Sequence, residues 1–228
     1  MDWTYWGRPV PSFGDPQARL LLIGLAPAAH GGNRTGRIFT GDRSGDWLFR
    51  ALHESGFANQ PTSTHRGDGL ALKDCYITAI IHCAPPGNKP AREEILNCRA
   101  YLLDELRFLK QVGVVVTLGQ IAFNGYLQTC EELGWPRPSP RPKFGHGKVY
   151  PLNNGVTLIA SYHPSQQNTL TGRLTRSMFQ TIFTKARSIL DQGHVKVITK
   201  LVIPAEAGIQ KHRKILDSHF RGNDDNST

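Results

Sequence analysis

Nowhere in the 228 residues do about 18 apolar side chains run together, so the sequence contains no segment built to span a bilayer. The opening residues, Met1-Asp2-Trp3-Thr4-Tyr5-Trp6, lack the basic stretch and apolar core of an export signal. The expected location is therefore a reducing cytoplasm, where the four cysteines are not expected to pair. No Cys-x-x-Cys occurs among Cys75, Cys83, Cys98 and Cys130, which argues against a zinc ribbon and against the Pro-Cys-x-x-Cys site of zinc deaminases. Gly31 and Gly36 have the glycine spacing of a P-loop, but Arg37-Ile38 stands where Lys and Ser/Thr would have to follow. A nucleoside triphosphatase is thereby rejected. Carboxylates are scarce beside the 27 basic residues and do not gather in any motif, which disfavours a magnesium-dependent nucleic-acid hydrolase.

What is present suits one α/β domain acting on a polyanion. A chain of this length buries most of the surface its unfolded form exposes, and its 39% hydrophobic content is that of a globular protein. The formal charge is +9 and the pI about 9.6, a balance that favours nucleic acid as partner because Lys and Arg neutralise phosphates and release counterions. No protein partner is inferable. Residues 196–228 hold turn and disorder formers without periodicity and resemble translated dispersed repeat DNA. Setting them aside leaves 21 basic against 14 acidic side chains, a net +7. The domain is accordingly expected over 1–195 and a disordered tail over 196–228.

Four apolar, β-branched runs, 18–23, 75–81, 112–118 and 156–162, read as buried parallel strands. Helical patterns lie at 44–55, 92–110, 120–133 and 173–190. This alternation predicts a three-layer α/β/α sandwich around a central parallel, mainly four-stranded sheet. Turn-rich segments follow the first, second and fourth strands, and ligands bind beyond the carboxyl ends of such strands. Chemistry is therefore expected where these loops converge.

The loop 24–42 (GLAPAAHGGNRTGRIFTGD) offers backbone amides suited to an anion. Gly24 and Gly41 read as tight-turn glycines. Asp42, just ahead of Ser44, is either an N-terminal cap or a residue that positions a water. His163 follows a strand directly, where a neutral imidazole can donate to an oxygen gathering charge or serve as a structural hydrogen-bonder. The Ser165, Gln166, Gln167 and Asn168 side chains suit DNA grooves and phosphates as well as an ordinary polar loop. Cys75 and Cys130 fall in strand and helix patterns and read as packing residues.

Together, 24–42, 82–90 (HCAPPGNKP) and 163–175 (HPSQQNTLTGRLT) resemble the family 5 uracil-DNA glycosylases, the similarity covering roughly residues 5–192. The resemblance implies hydrolysis of the N-glycosidic bond of uracil, and of other damaged bases such as hypoxanthine, in double-stranded DNA, leaving an abasic site. It implies that Asp42 orients water or balances charge on the sugar, that His163 stabilises the departing base, that Asn88 contacts the base edge and that Phe39 stacks on its face. Gly24, Ala26, Pro27, Ala28, Asn33 and Arg34 would complete the substrate pocket, which lacks the polar residue its relatives carry and so is permissive. Ser165, Gln166, Gln167, Asn168 and Arg173 would engage DNA, with Arg34 and Arg37 on phosphates. A 4Fe-4S cluster is implied on cysteines matching Cys83 and Cys98 and on a Cys-x-x-Cys pair upstream of Tyr5. That pair is absent here, so a late start or a decayed gene copy is expected, and the alternative reading is a truncated protein that binds lesions with little or no turnover. Ile38, where the family often has Pro, is expected only to loosen the loop.

Overall fold

The computed structural model describes residues 5–136 and 138–201. Packing divides the chain into units Met1–Asp191 and Gln192–Thr228; the first carries every element discussed below except the end of the last helix, and the tail expected at 196–228 lies largely outside the described residues.

Four parallel strands form the centre of the sheet: β2 (Leu20–Gly24), β3 (Cys75–Ala79), β4 (Val114–Leu118) and β6 (Thr157–Ser161). Short antiparallel strands close both edges, β1 (Phe13–Gly14) on β3 and β5 (Val149–Pro151) on β6, giving the order β1-β3-β2-β4-β6-β5. The continuous apolar runs arise because both faces are covered. Ile77, Leu22, Val116 and Ile159 lie in one register row and point into one core, while Leu21, Val115 and Leu158 point into the other. The single turn α1 (Gly32–Thr35) and the helices α2 (Arg43–Glu54), α3 (Arg92–Phe108), α4 (Gln120–Glu132), α5 (Gln166–Leu170) and α6 (Arg176–Leu201) complete the fold. Leu48, Phe49 and Leu52 of α2 share the first core with Phe179, Ile182 and Phe183 of α6. Leu102 and Leu106 of α3 share the second with Phe123, Tyr126 and Leu127 of α4. The two helix layers and the sheet make the expected α/β/α sandwich.

From β2 the chain passes to its neighbour β3, then crosses back over β2 to β4 on the other side. β2 and β4 therefore send their following loops in opposite directions, which opens a crevice at their carboxyl ends.

One expectation for this region is corrected. Arg37 does not face phosphate: its side chain is 4% exposed, bonded to Asp68 and Ser63 at 2.6 Å each and to the Thr40 hydroxyl at 3.0 Å. A charge that deep needs its partner, and the contact ties loop 31–42 to the segment around Asp68. Ile38, beside it, sits in the core at 1% exposure. Burial opposes ionisation of Asp68, but the Arg37 guanidinium and the amides of Thr64, Leu70 and His65 outweigh it and hold the carboxyl far below the usual carboxylate range. The pair's contribution is thus complete above the unfolded carboxylate pKa of about 3.9 and is lost as pH falls below it. Replacing Asp68 by Ala leaves Arg37 buried and unpaired, and chemical denaturation at pH 7 is expected to show a loss of about 3–5 kcal/mol.

Candidate active site

The crevice is a cleft of about 520 Å³, lined by residues from all four parallel strand ends. Leu25, Ala26 and Ala28 follow β2; Phe39, Asp42 and Ser44 lie where that long loop enters α2. Asn88 comes from the loop after β3, and His163, Ser165, Gln166 and Gln167 come from the loop after β6. The remaining wall, Leu118 to Ala122, is the turn from β4 into α4, which the sequence reading passed over. The sequence signal is the glycine between the apolar run and the helical pattern; in the structure Gly119 has φ 97°, which allows the sharp turn from strand to helix.

Phe39 is held in a conformation rare for an aromatic residue, with φ 56°. Two glycines make room for it. A methyl group on Gly45 would lie 1.9 Å from the Phe39 carbonyl oxygen, and one on Gly24 would lie 3.0 Å from the ring. Gly24 is therefore needed for close approach, not for a turn, and it sits buried beneath the ring rather than on the cleft surface. Gly41, at φ 80°, is the turn glycine expected.

Asp42 caps α2: its Oδ1 accepts from the Gly45 amide at 3.0 Å. The other oxygen is pressed toward Gly31, where an added methyl would lie 2.3 Å from Oδ2. The two roles weighed for Asp42 are thus not exclusive, since one oxygen serves the helix while the carboxyl borders the cleft. Burial raises its pKa above the ordinary aspartate value, against the lowering effect of the Gly45 and Ser44 amides.

His163 stacks on Phe39, with ring centroids 5.8 Å apart and planes 29° from parallel. Desolvation pulls its pKa down to about 4, so the ring is neutral at physiological pH. Asn88, at φ 55° in the turn Pro86–Asn88, is exposed and lines the cleft.

The other expected residues take different places. Pro27 is buried beneath the loop, against Gly32. Asn33 and Arg34 lie in α1, outside the cleft lining, with Arg34 Nε donating to the His30 carbonyl at 2.9 Å. The Asn168 side chain turns inward and donates to the His163 carbonyl at 2.8 Å. Arg173 lies over the Tyr162 ring at 4.5 Å.

Cys83 is exposed and Cys98 partly buried, and the pKa of Cys83 is raised by burial and then by the charge of Cys98. The two sulfurs are close enough to interact, and Cys83 is held as the thiol, so a cluster would have to displace its proton. Their proximity suits two corners of a cluster. Among the described residues no group of three or more His, Cys, Asp or Glu side chains forms a metal site.

The sequence pattern of the uracil DNA glycosylase superfamily matches residues 11–187. A type-5 uracil-DNA glycosylase of Thermus thermophilus is 52% identical over 185 residues, 81% of this chain and 82% of that protein. One of Mycobacterium bovis is 49% identical over 189 residues, covering 82% of this chain and 69% of that protein. A type-4 uracil-DNA glycosylase of Saccharolobus solfataricus is 27% identical over 168 residues, 72% of this chain and 68% of that protein. The chain belongs to the uracil DNA glycosylase superfamily and, within it, to the type-5 family.

The pKa of His163 is open to direct measurement. Titration followed by NMR is expected to place it near 4, well under the unfolded value of about 6.5. Because the unfolded state binds the proton more readily, His163 makes stability fall as pH drops from about 6.5 toward 4, and a His163→Gln variant should lose that part of the pH dependence.

Proposed function

We infer that the protein excises uracil from DNA, hydrolysing the N-glycosidic bond and leaving an abasic site. The observation that carries this reading is membership of the type-5 family at about half identity over most of the chain, together with a cleft that holds Asp42, Asn88 and His163. The reaction builds positive charge on the sugar and negative charge on the departing base, so the site must favour both.

Asp42 supplies the negative pole. The α2 amides that bind it favour its ionised form, and its position at the cleft wall allows it to orient a water or face the developing oxocarbenium ion. His163, neutral, donates a hydrogen bond to a base oxygen as charge gathers there, and its low pKa keeps it neutral throughout the working range. Asn88, which lines the cleft, contacts the base edge, and the Phe39 ring forms part of the wall on which the base stacks. Small side chains at Ala26 and Ala28 leave room for a purine, which supports hypoxanthine as a second substrate.

The cleft is sunk at the sheet edge, so a base in a duplex must leave the stack to enter, at a cost of about a few kcal/mol. Duplex DNA is the proposed substrate, with Ser165, Gln166 and Gln167 on the cleft rim at the groove. Cys83 and Cys98 would hold two corners of a 4Fe-4S cluster, which would pin the loop bearing Asn88 to α3; such clusters take four cysteine ligands. The proposed setting is the bacterial cytoplasm, with the DNA; among the described residues no helix is long and apolar enough to cross a membrane.

Incubated with a duplex carrying one uracil and no added metal, the protein is expected to give an alkali-labile abasic product. A duplex that is bound and left intact would defeat the enzymatic reading. In single-turnover assays, Asp42→Asn and His163→Ala are each expected to slow base release by about 10²–10⁴-fold. The rate should fall on the acid side as Asp42 is protonated, above the usual aspartate value, and should show no limb from His163 near pH 6.5.

A further inference from the structure

His163 is fixed by contacts on both sides of its backbone. Its carbonyl accepts from Asn168, as described above. On the other side stands His146, which no motif includes. The turn from Gly145 to Lys148 places it: Gly147, at φ 76°, donates its amide to the Ala160 carbonyl at 2.8 Å, and the Ala160 amide donates to Lys148 at 3.0 Å. This narrow pairing lays His146 beside the end of β6. The Tyr162 amide donates to His146 Nδ1 at 3.1 Å, and the two rings stack with centroids 5.1 Å apart and planes at 24°.

A nitrogen that accepts a hydrogen bond carries no proton, so the ring is the Nε2–H tautomer. Met178, in the first turn of α6, lines the same cavity as His146, and its backbone raises the ring's proton affinity. Desolvation outweighs that contact and lowers the pKa overall, which keeps the ring neutral and Nδ1 free to accept.

We propose that His146 is a positioning residue for His163: as the Nε2–H tautomer it bridges the Gly145–Lys148 turn to the Tyr162 amide and so fixes the imidazole one residue further along. The proposal rests on His163 being a reacting group. A misplacement of about 1 Å at such a group costs on the order of 100-fold in rate, so the geometry of one strand end suffices to govern the chemistry.

Two substitutions separate the bond from the stack. His146→Phe keeps an aromatic ring against Tyr162 and loses the acceptor for the Tyr162 amide; His146→Gln keeps an acceptor and loses the ring. In single-turnover release of uracil, the Phe variant is expected to be slowed by about 10–100-fold with duplex affinity unchanged, and the Gln variant to recover most of the wild-type rate. A folded Phe variant with wild-type rate overturns the proposal, as does an equal loss of rate and affinity in both variants. Should the Phe variant fail to fold, 15N NMR of the wild-type protein decides. An unprotonated Nδ1 on His146 supports the bridge, and a protonated Nδ1 overturns it. If the wild-type protein leaves uracil in place, the glycosylase reading fails, while the tautomer still tests the bridge.

Discussion

The contact of Asp42 with Gly31 and Gly45 is the constraint on which the site depends. One carboxylate oxygen binds the first turn of α2 and the other lies so close to Gly31 that no side chain fits there. The same few residues also fix Phe39, whose carbonyl leaves no space for a side chain on Gly45 and whose ring leaves little above Gly24. A loop of nineteen residues from Gly24 to Asp42 would ordinarily be free to move. Here it is closed on itself by missing Cβ atoms and anchored from behind by the buried Arg37–Asp68 pair. The strained backbone of Phe39 persists because its surroundings determine it from several sides.

That rigidity gives the electrostatics their meaning. Burial shifts two groups in opposite directions on the pH scale, Asp42 upward and His163 downward, and in both cases it disfavours the charged form. For His163 this yields a neutral donor. For Asp42 the helix amides offset part of the penalty and so favour the carboxylate beside the cleft. A site already arranged in this way spends no reorganisation during the reaction.

The sheet and its helices were legible because their cause is local: continuous β-branched runs such as Val114-Val115-Val116 can be buried on both faces only in a parallel sheet. The edge strands were not. Phe13-Gly14 and Val149-Tyr150-Pro151 are too short for periodicity and contain Gly or Pro, so only their neighbours make them strands. In the site, Asp42 and His163 could be found from their places after strands and before a helix. Gly24 was noticed for the wrong reason, since a turn and a close approach both favour glycine and the sequence does not separate them. Arg37 was misplaced because its partner Asp68 is 31 residues away, and His146 was missed because its role exists only through the fold.

The most direct test of this account is Gly31→Ala, which leaves every polar group of the cleft in the sequence and alters only the space beside Asp42. The added methyl would meet Oδ2 at 2.3 Å, so the carboxylate must shift. Single-turnover uracil release is expected to fall on the order of 100-fold, with the protein still folded and still binding the duplex. A folded Gly31→Ala protein that releases uracil at the wild-type rate would contradict the claim that this contact sets the chemistry.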